Sequence, residues 1–123
     1  MSRRGPLRIK LQLFCGETRA LGPGRADVLE AIDRLGSISA AGRALGMSYR
    51  YTWLLVDGMN RCFAERLVDT AIGGSKRGGA RLTEAGKTVL GAYRRLDLAL
   101  AEAAGGEALA TLEALLRTEA VVG

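Results

Sequence analysis

The chain has 123 residues, 48% hydrophobic and 25% charged, and its 18 Lys and Arg against 13 Asp and Glu give a formal net charge of +5. That length suits one hydrophobic core, the hydrophobic share excludes a disordered chain, and the positive balance favours a polyanionic partner. There is no histidine and there are two cysteines, which removes the commonest general base and metal ligand and excludes a disulfide framework.

No run approaches the ~18 consecutive apolar residues that span a bilayer. The start, Ser2-Arg3-Arg4-Gly5-Pro6, carries no apolar stretch after its charges. A cytoplasmic protein with no membrane contact is expected. Cys15 and Cys62 lack Cys-x-x-Cys spacing and read as reduced thiols. No metal, cofactor or small-molecule ligand is expected.

Leu7, Ile9, Leu11 and Leu13 alternate with Arg8, Lys10 and Gln12, the period of two that predicts a strand, ended by Cys15-Gly16. Ala20-Leu21-Gly22-Pro23-Gly24 predicts a loop. Val28, Leu29, Ile32 and Leu35 then fall at helical spacing over 25–35, with Gly36 as the C-cap. Ser37 and Ser39 are two candidate N-caps for a short helix over 40–45 whose small side chains permit close helix approach. Gly46 supplies a turn, and Ser48 caps a helix from Tyr49 to about Phe63 on which Tyr49, Trp53, Val56 and Asn60 mark one face. Trp53 is expected to anchor the core rather than to stack on bases.

The segments 67–72 and 80–83 flank the Gly-rich, basic stretch 73–79 and predict a hairpin. Thr83 caps a long helix in which Val89, Tyr93, Leu96, Leu100 and Ala103 recur at steps of four and three, the heptad pattern of a packing seam. Gly105-Gly106 interrupts it, and Leu109, Leu112, Leu115 and Leu116 resume helical spacing to about Thr118. The fold class is mainly α with a small β hairpin (α+β). The expected architecture is a winged helix-turn-helix over 1–83 with a C-terminal helical dimerisation segment over 84–119.

The major groove of B-DNA admits one α-helix, which a helix-turn-helix inserts N-terminus first. Ser48, Tyr49, Arg50, Tyr51 and Thr52 are therefore candidate DNA contacts, with Arg50 suited to guanine O6/N7. The helix starts at Ser37, Ser39 and Ser48 offer N–H groups and a positive dipole end to phosphates. Lys76, Arg77 and Arg81 make the hairpin a cationic wing, flexible enough to follow the backbone or minor groove. Its glycines match neither G-x-x-x-x-G-K-[ST] nor G-x-G-x-x-G, so nucleotide binding is not expected. The partner expected is a palindromic duplex operator held by a homodimer through Val89, Tyr93, Leu96, Leu100 and Ala103. No nucleophile–base pair supports an enzyme. Two alternatives remain: a protein-interaction module using Leu54 and Leu55, and a redox sensor using Cys15 and Cys62.

Five blocks, Gly36-Ser37-Ile38-Ser39-Ala40-Ala41, Met47-Ser48-Tyr49-Arg50-Tyr51-Thr52-Trp53, Met59-Asn60, the glycines from Gly73 to Gly79, and Leu82-Thr83-Glu84-Ala85-Gly86, occur in that order. In these blocks the chain resembles the N-terminal domain of the molybdate-responsive regulators, the ModE family, over about residues 7–104. The resemblance implies a winged-helix dimer joined through the long helix after the wing, and a recognition helix starting at Ser48. It also implies regulation of metal-oxyanion uptake or cofactor genes, with repression by occlusion the simplest output. It does not imply oxyanion sensing, because molybdate binds such regulators in a separate C-terminal region of small β-barrel repeats, and no strand-rich segment follows Thr83 in this sequence.

Overall fold

The alternating N-terminal segment does not run as one strand. In the computed structural model, which describes residues 2–70 and 79–122 and only the backbone of residues 2–4, it is divided between two hairpins. Strand β1 (Ser2–Arg4) pairs antiparallel with β2 (Leu7–Ile9), and β3 (Leu13–Cys15) pairs with β4 (Thr18–Leu21). Gly5 and Gly16 turn these hairpins, both at φ 59, a left-handed conformation that glycine adopts without steric cost. Because the Gly16 turn is tight, the chain pairs back at once, and Ala20 and Leu21, expected in a loop, become the buried end of β4.

Helix α1 (Pro23–Leu35) starts two residues earlier than its apolar spacing suggests, since Pro23 at the first position already has the helical φ. Ala26, Val28, Leu29, Ala31 and Ile32 are its buried residues. It ends at Gly36, whose φ of 80 lets its N–H reach the Ile32 carbonyl at 2.9 Å. Helix α2 (Ile38–Leu45) follows immediately, capped by Ser37 rather than Ser39: the Ser37 Oγ accepts from the Ala40 N–H at 3.0 Å. Gly46, at φ 70, turns the chain into α3 (Tyr49–Cys62), and Ser48 caps it by accepting from the Tyr51 N–H at 3.1 Å.

Strands β5 (Val68–Asp69) and β6 (Arg81–Leu82) form a third hairpin. Thr83 then starts α4 (Glu84–Ala103): its Oγ1 accepts from the Gly86 N–H at 3.0 Å and donates to the Arg66 carbonyl at 2.6 Å, so one side chain caps the helix and holds it to the chain entering β5. The last helix, α5 (Glu107–Leu115), has no buried residue. Leu21, Leu29, Ile32, Met59 and Leu67 are fully enclosed, in a core where α1 packs on α2, α3 and α4 and the third hairpin closes one side. Enclosing each large aliphatic side chain contributes up to ~1.5–3 kcal/mol. No helix among the described residues is long and apolar enough to cross a membrane.

Helix α4 faces the body of its own protomer through Tyr93, Asp97 and Ala101, all buried. The Tyr93 hydroxyl donates to the Leu11 carbonyl at 2.8 Å, and Arg94 bridges to Asp27 at 3.1 Å and Glu30 at 3.0 Å on α1. The five positions expected to form one seam therefore differ in their surroundings. Tyr93 belongs to the protomer core, because its ring and hydroxyl are already engaged there. Leu96, Leu100 and Ala103 are exposed, and Val89 is half-buried.

Candidate nucleic-acid interface

The relation between α2 and α3 decides which residues face outward. Gly42 has no side chain, and Thr52 fills the space beside it: a Cβ on Gly42 would lie 2.7 Å from Thr52 Oγ1. Thr52 is 0% exposed, and its hydroxyl donates to the Ser48 carbonyl at 2.7 Å. Thr52 is thus withdrawn from the candidate DNA contacts, since both its surface and its hydroxyl are used inside the protomer. The buried stripe of α3 is Thr52, Leu55, Val56 and Met59, rotated from the face expected through Tyr49, Trp53, Val56 and Asn60.

That rotation turns the leading aromatics outward. Tyr49 is 58% exposed, Tyr51 53% and Trp53 43%, with Arg50 exposed among them. Trp53 is therefore not the core anchor its size suggests. Tyr49, Arg50 and Trp53 line a shared hollow of about 220 Å³ on the open face of the helix. Leu55 is buried and Leu54 is 47% exposed, so only one of the paired leucines contributes to that surface.

The electrostatics favour an anion. The first turns of α2 and α3 carry no acidic residue, which leaves the positive dipole ends of both helices uncompensated. Ser39, expected as a cap, lies instead on the outer face of α2 and accepts from Arg43 Nη1 at 2.9 Å, so an exposed guanidinium stands one turn from the helix start. Sequence reasoning passed over Arg43, although its i,i+4 spacing from Ser39 was visible.

The wing is held to the same surface by its backbone. The Ala80 N–H donates to the Gly36 carbonyl at 2.9 Å and Gly79 bridges to Ser37, so the returning strand runs beside the N-terminus of α2. Asn60 fixes the outgoing strand: its Oδ1 accepts from the N–H groups of Leu67 at 2.8 Å and Val68 at 3.1 Å, and its Nδ2 donates to the Val68 carbonyl at 3.1 Å. One side chain on α3 thereby positions the hairpin against that helix. Arg81 is exposed on β6, in register opposite Asp69. Lys76 and Arg77 lie outside the described residues.

Two helices joined at a glycine turn, a third crossing behind them and a hairpin pinned alongside define a winged helix-turn-helix domain. No family model matches the chain. It is 39% identical over 100 residues to the molybdenum-pterin-binding protein MopA of Rhodobacter capsulatus, an alignment covering 81% of this chain and 38% of that protein. It is 39% identical over 79 residues to the molybdenum transport protein ModE of Azotobacter vinelandii, covering 64% and 29% respectively. It is 37% identical over 87 residues to the DNA-binding transcriptional dual regulator ModE of Escherichia coli (strain K12), covering 71% and 31%. The chain spans about a third of the length of the curated relatives it matches. It is a ModE-like N-terminal domain.

Proposed function

We propose that this chain is a sequence-specific, duplex-DNA-binding transcriptional regulator that acts as a homodimer on a palindromic operator. The observation that carries the proposal is the open leading face of α3, where exposed Tyr49, Arg50, Tyr51 and Trp53 surround a helix start free of acidic residues. Arg50 reads guanine in the major groove, and Tyr49 and Tyr51 supply hydroxyls to bases or phosphates. The starts of α2 at Ser37 and α3 at Ser48 receive phosphates, joined by Ser39 with Arg43 and by the wing cations Lys76, Arg77 and Arg81. The homodimer reading draws on a second surface. Leu13, Leu21, Phe63, Val89, Ala92, Tyr93 and Leu96 line an apolar groove of about 210 Å³, and Leu100 and Ala103 continue its exposed border along α4. The output we infer is repression by occlusion of genes for metal-oxyanion uptake or cofactor synthesis, in keeping with relatives named for molybdenum transport and transcriptional regulation.

Fluorescence anisotropy on labelled duplexes tests this reading. Affinity should fall steeply with salt, and replacing Lys76 and Arg77 by alanine should lower the salt slope by about 2 on every sequence. Arg50→Ala should lower the preference between duplexes by ~1–3 kcal/mol. Binding absent at low salt, or indifferent to salt, would instead favour a protein-interaction module presenting Leu54.

A further inference from the structure

The only two cysteines of the sequence, 47 positions apart by their numbers, end elements that the fold packs together: β3 pairs with β4, and β4 lies against α3. Cys15 ends β3 and is exposed; Cys62 is the last residue of α3 and is half-buried. Leu13 and Phe63, close to the two cysteines in the chain, line the same groove. Partial burial pushes the Cys62 thiol above its ordinary range, the adjoining Cys15 adds to the rise through charge and a side-chain hydrogen bond, and Arg25 opposes it. The Arg25 Nε is buried with no hydrogen-bond partner among the described residues, and its charge favours the Cys62 thiolate.

We infer that Cys15 and Cys62 are a modification site: a dithiol that closes to an intramolecular disulfide when it meets a small disulfide oxidant. The exposed Cys15 thiolate attacks one sulfur of the oxidant, forming a mixed disulfide and expelling a small thiolate. The Cys62 thiolate then attacks the Cys15 sulfur and expels the second. The two cysteines lose two electrons and two protons together, and both end on the two small thiols released. Both cysteines lie at the ends of their elements, where the backbone has room to settle into the narrow geometry an S–S bond requires. The closed bond would clasp the N-terminal hairpin to the end of the recognition helix and enclose α1, α2 and α3 in one covalent loop.

The test is covalent and independent of DNA, so its failure and that of the regulator reading are distinguishable. The reduced full chain is incubated with oxidised glutathione, quenched with acid and weighed intact. The expected product is a monomer about 2 Da lighter than the reduced chain, with the Cys15 and Cys62 peptides linked after digestion. Cys15→Ser and Cys62→Ser should stop at the glutathione adduct. In concentrated urea closure of the wild type should slow at least tenfold, because the fold holds the thiols together, and the oxidised form should melt roughly 10 °C higher. A persistent adduct on the wild type, disulfide-linked dimers as the main product, or closure as fast in urea as in buffer would overturn the inference.

Discussion

Thr52 Oγ1 lies 2.7 Å from the point where a Cβ on Gly42 would stand, and this contact sets how closely α2 and α3 approach. The Met47 carbonyl, 3.1 Å from the same point, closes the other side. Gly42→Ala should therefore force the helices apart and destabilise the fold by ~1–3 kcal/mol. Gly58, within α3, is the internal control: a Cβ there meets nothing within 4 Å, so Gly58→Ala should stabilise by ~0.5–1 kcal/mol through helix propensity. Thermal unfolding of both variants checks this. Equal melting temperatures would show that the helices do not meet as described.

Asn60 makes three hydrogen bonds to the backbone of Leu67 and Val68. Asn60→Ala should cost ~1–3 kcal/mol, because two N–H groups at a buried strand lose their acceptor. Asn60→Asp keeps that acceptor but sets a carboxylate oxygen against the Val68 carbonyl in place of the donor, so its cost should shrink in acid, where a protonated carboxyl can donate. Denaturant unfolding at neutral and acid pH checks this, and an aspartate variant whose deficit from wild type does not shrink in acid would refute the bonding pattern.

Tyr93 links stability to alkaline pH. Burial raises its hydroxyl above the ordinary 10.0, the nearby Asp97 and Asp27 raise it further, and Arg94 opposes them. The folded state thus favours the neutral phenol, which alone donates to the Leu11 carbonyl. Because the folded value exceeds the unfolded one, this contribution is intact below pH 10 and lost as pH rises beyond it. Tyr93→Phe should cost ~0.5–1.5 kcal/mol at neutral pH, and the gap from wild type should narrow in alkali. Melting curves from neutral pH upward test this; a gap that stays constant would contradict it.

Leu96 is 45% exposed on the apolar groove beside α4. Leu96→Glu should leave the monomer folded, since the residue is not in the core, yet shift the chain toward monomer in sedimentation equilibrium. DNA affinity should fall with it, because two linked half-sites bind far more tightly than one. A variant that sediments as wild type would remove this surface from the proposed dimer.

What was legible in the sequence is what short-range chemistry decides. Gly36, Gly46, Ser37, Ser48 and Thr83 mark helix ends through positive φ or hydroxyl caps within three residues, and the structure has each in that role. What was not legible depends on contacts between distant segments. Hydrophobicity alone places Trp53 inside and Thr52 outside, but the missing side chain of Gly42 demands a small neighbour, and that demand rotates α3. Tyr93 fits a heptad seam equally well whether its partner is another subunit or the Leu11 carbonyl, and no pattern within its own helix distinguishes them. That Cys15 and Cys62 end elements the fold packs together is hidden for the same reason.

The central claim is that α3 reads a duplex as one half of a symmetric pair. Selection of bound sequences from a random duplex pool tests it most directly. The expected result is a two-fold symmetric motif whose half-sites lie about 10–10.5 base pairs apart, or a multiple of that, with a guanine preference that Arg50→Ala erases. A pool left unenriched, or a motif unchanged by Arg50→Ala, would contradict it.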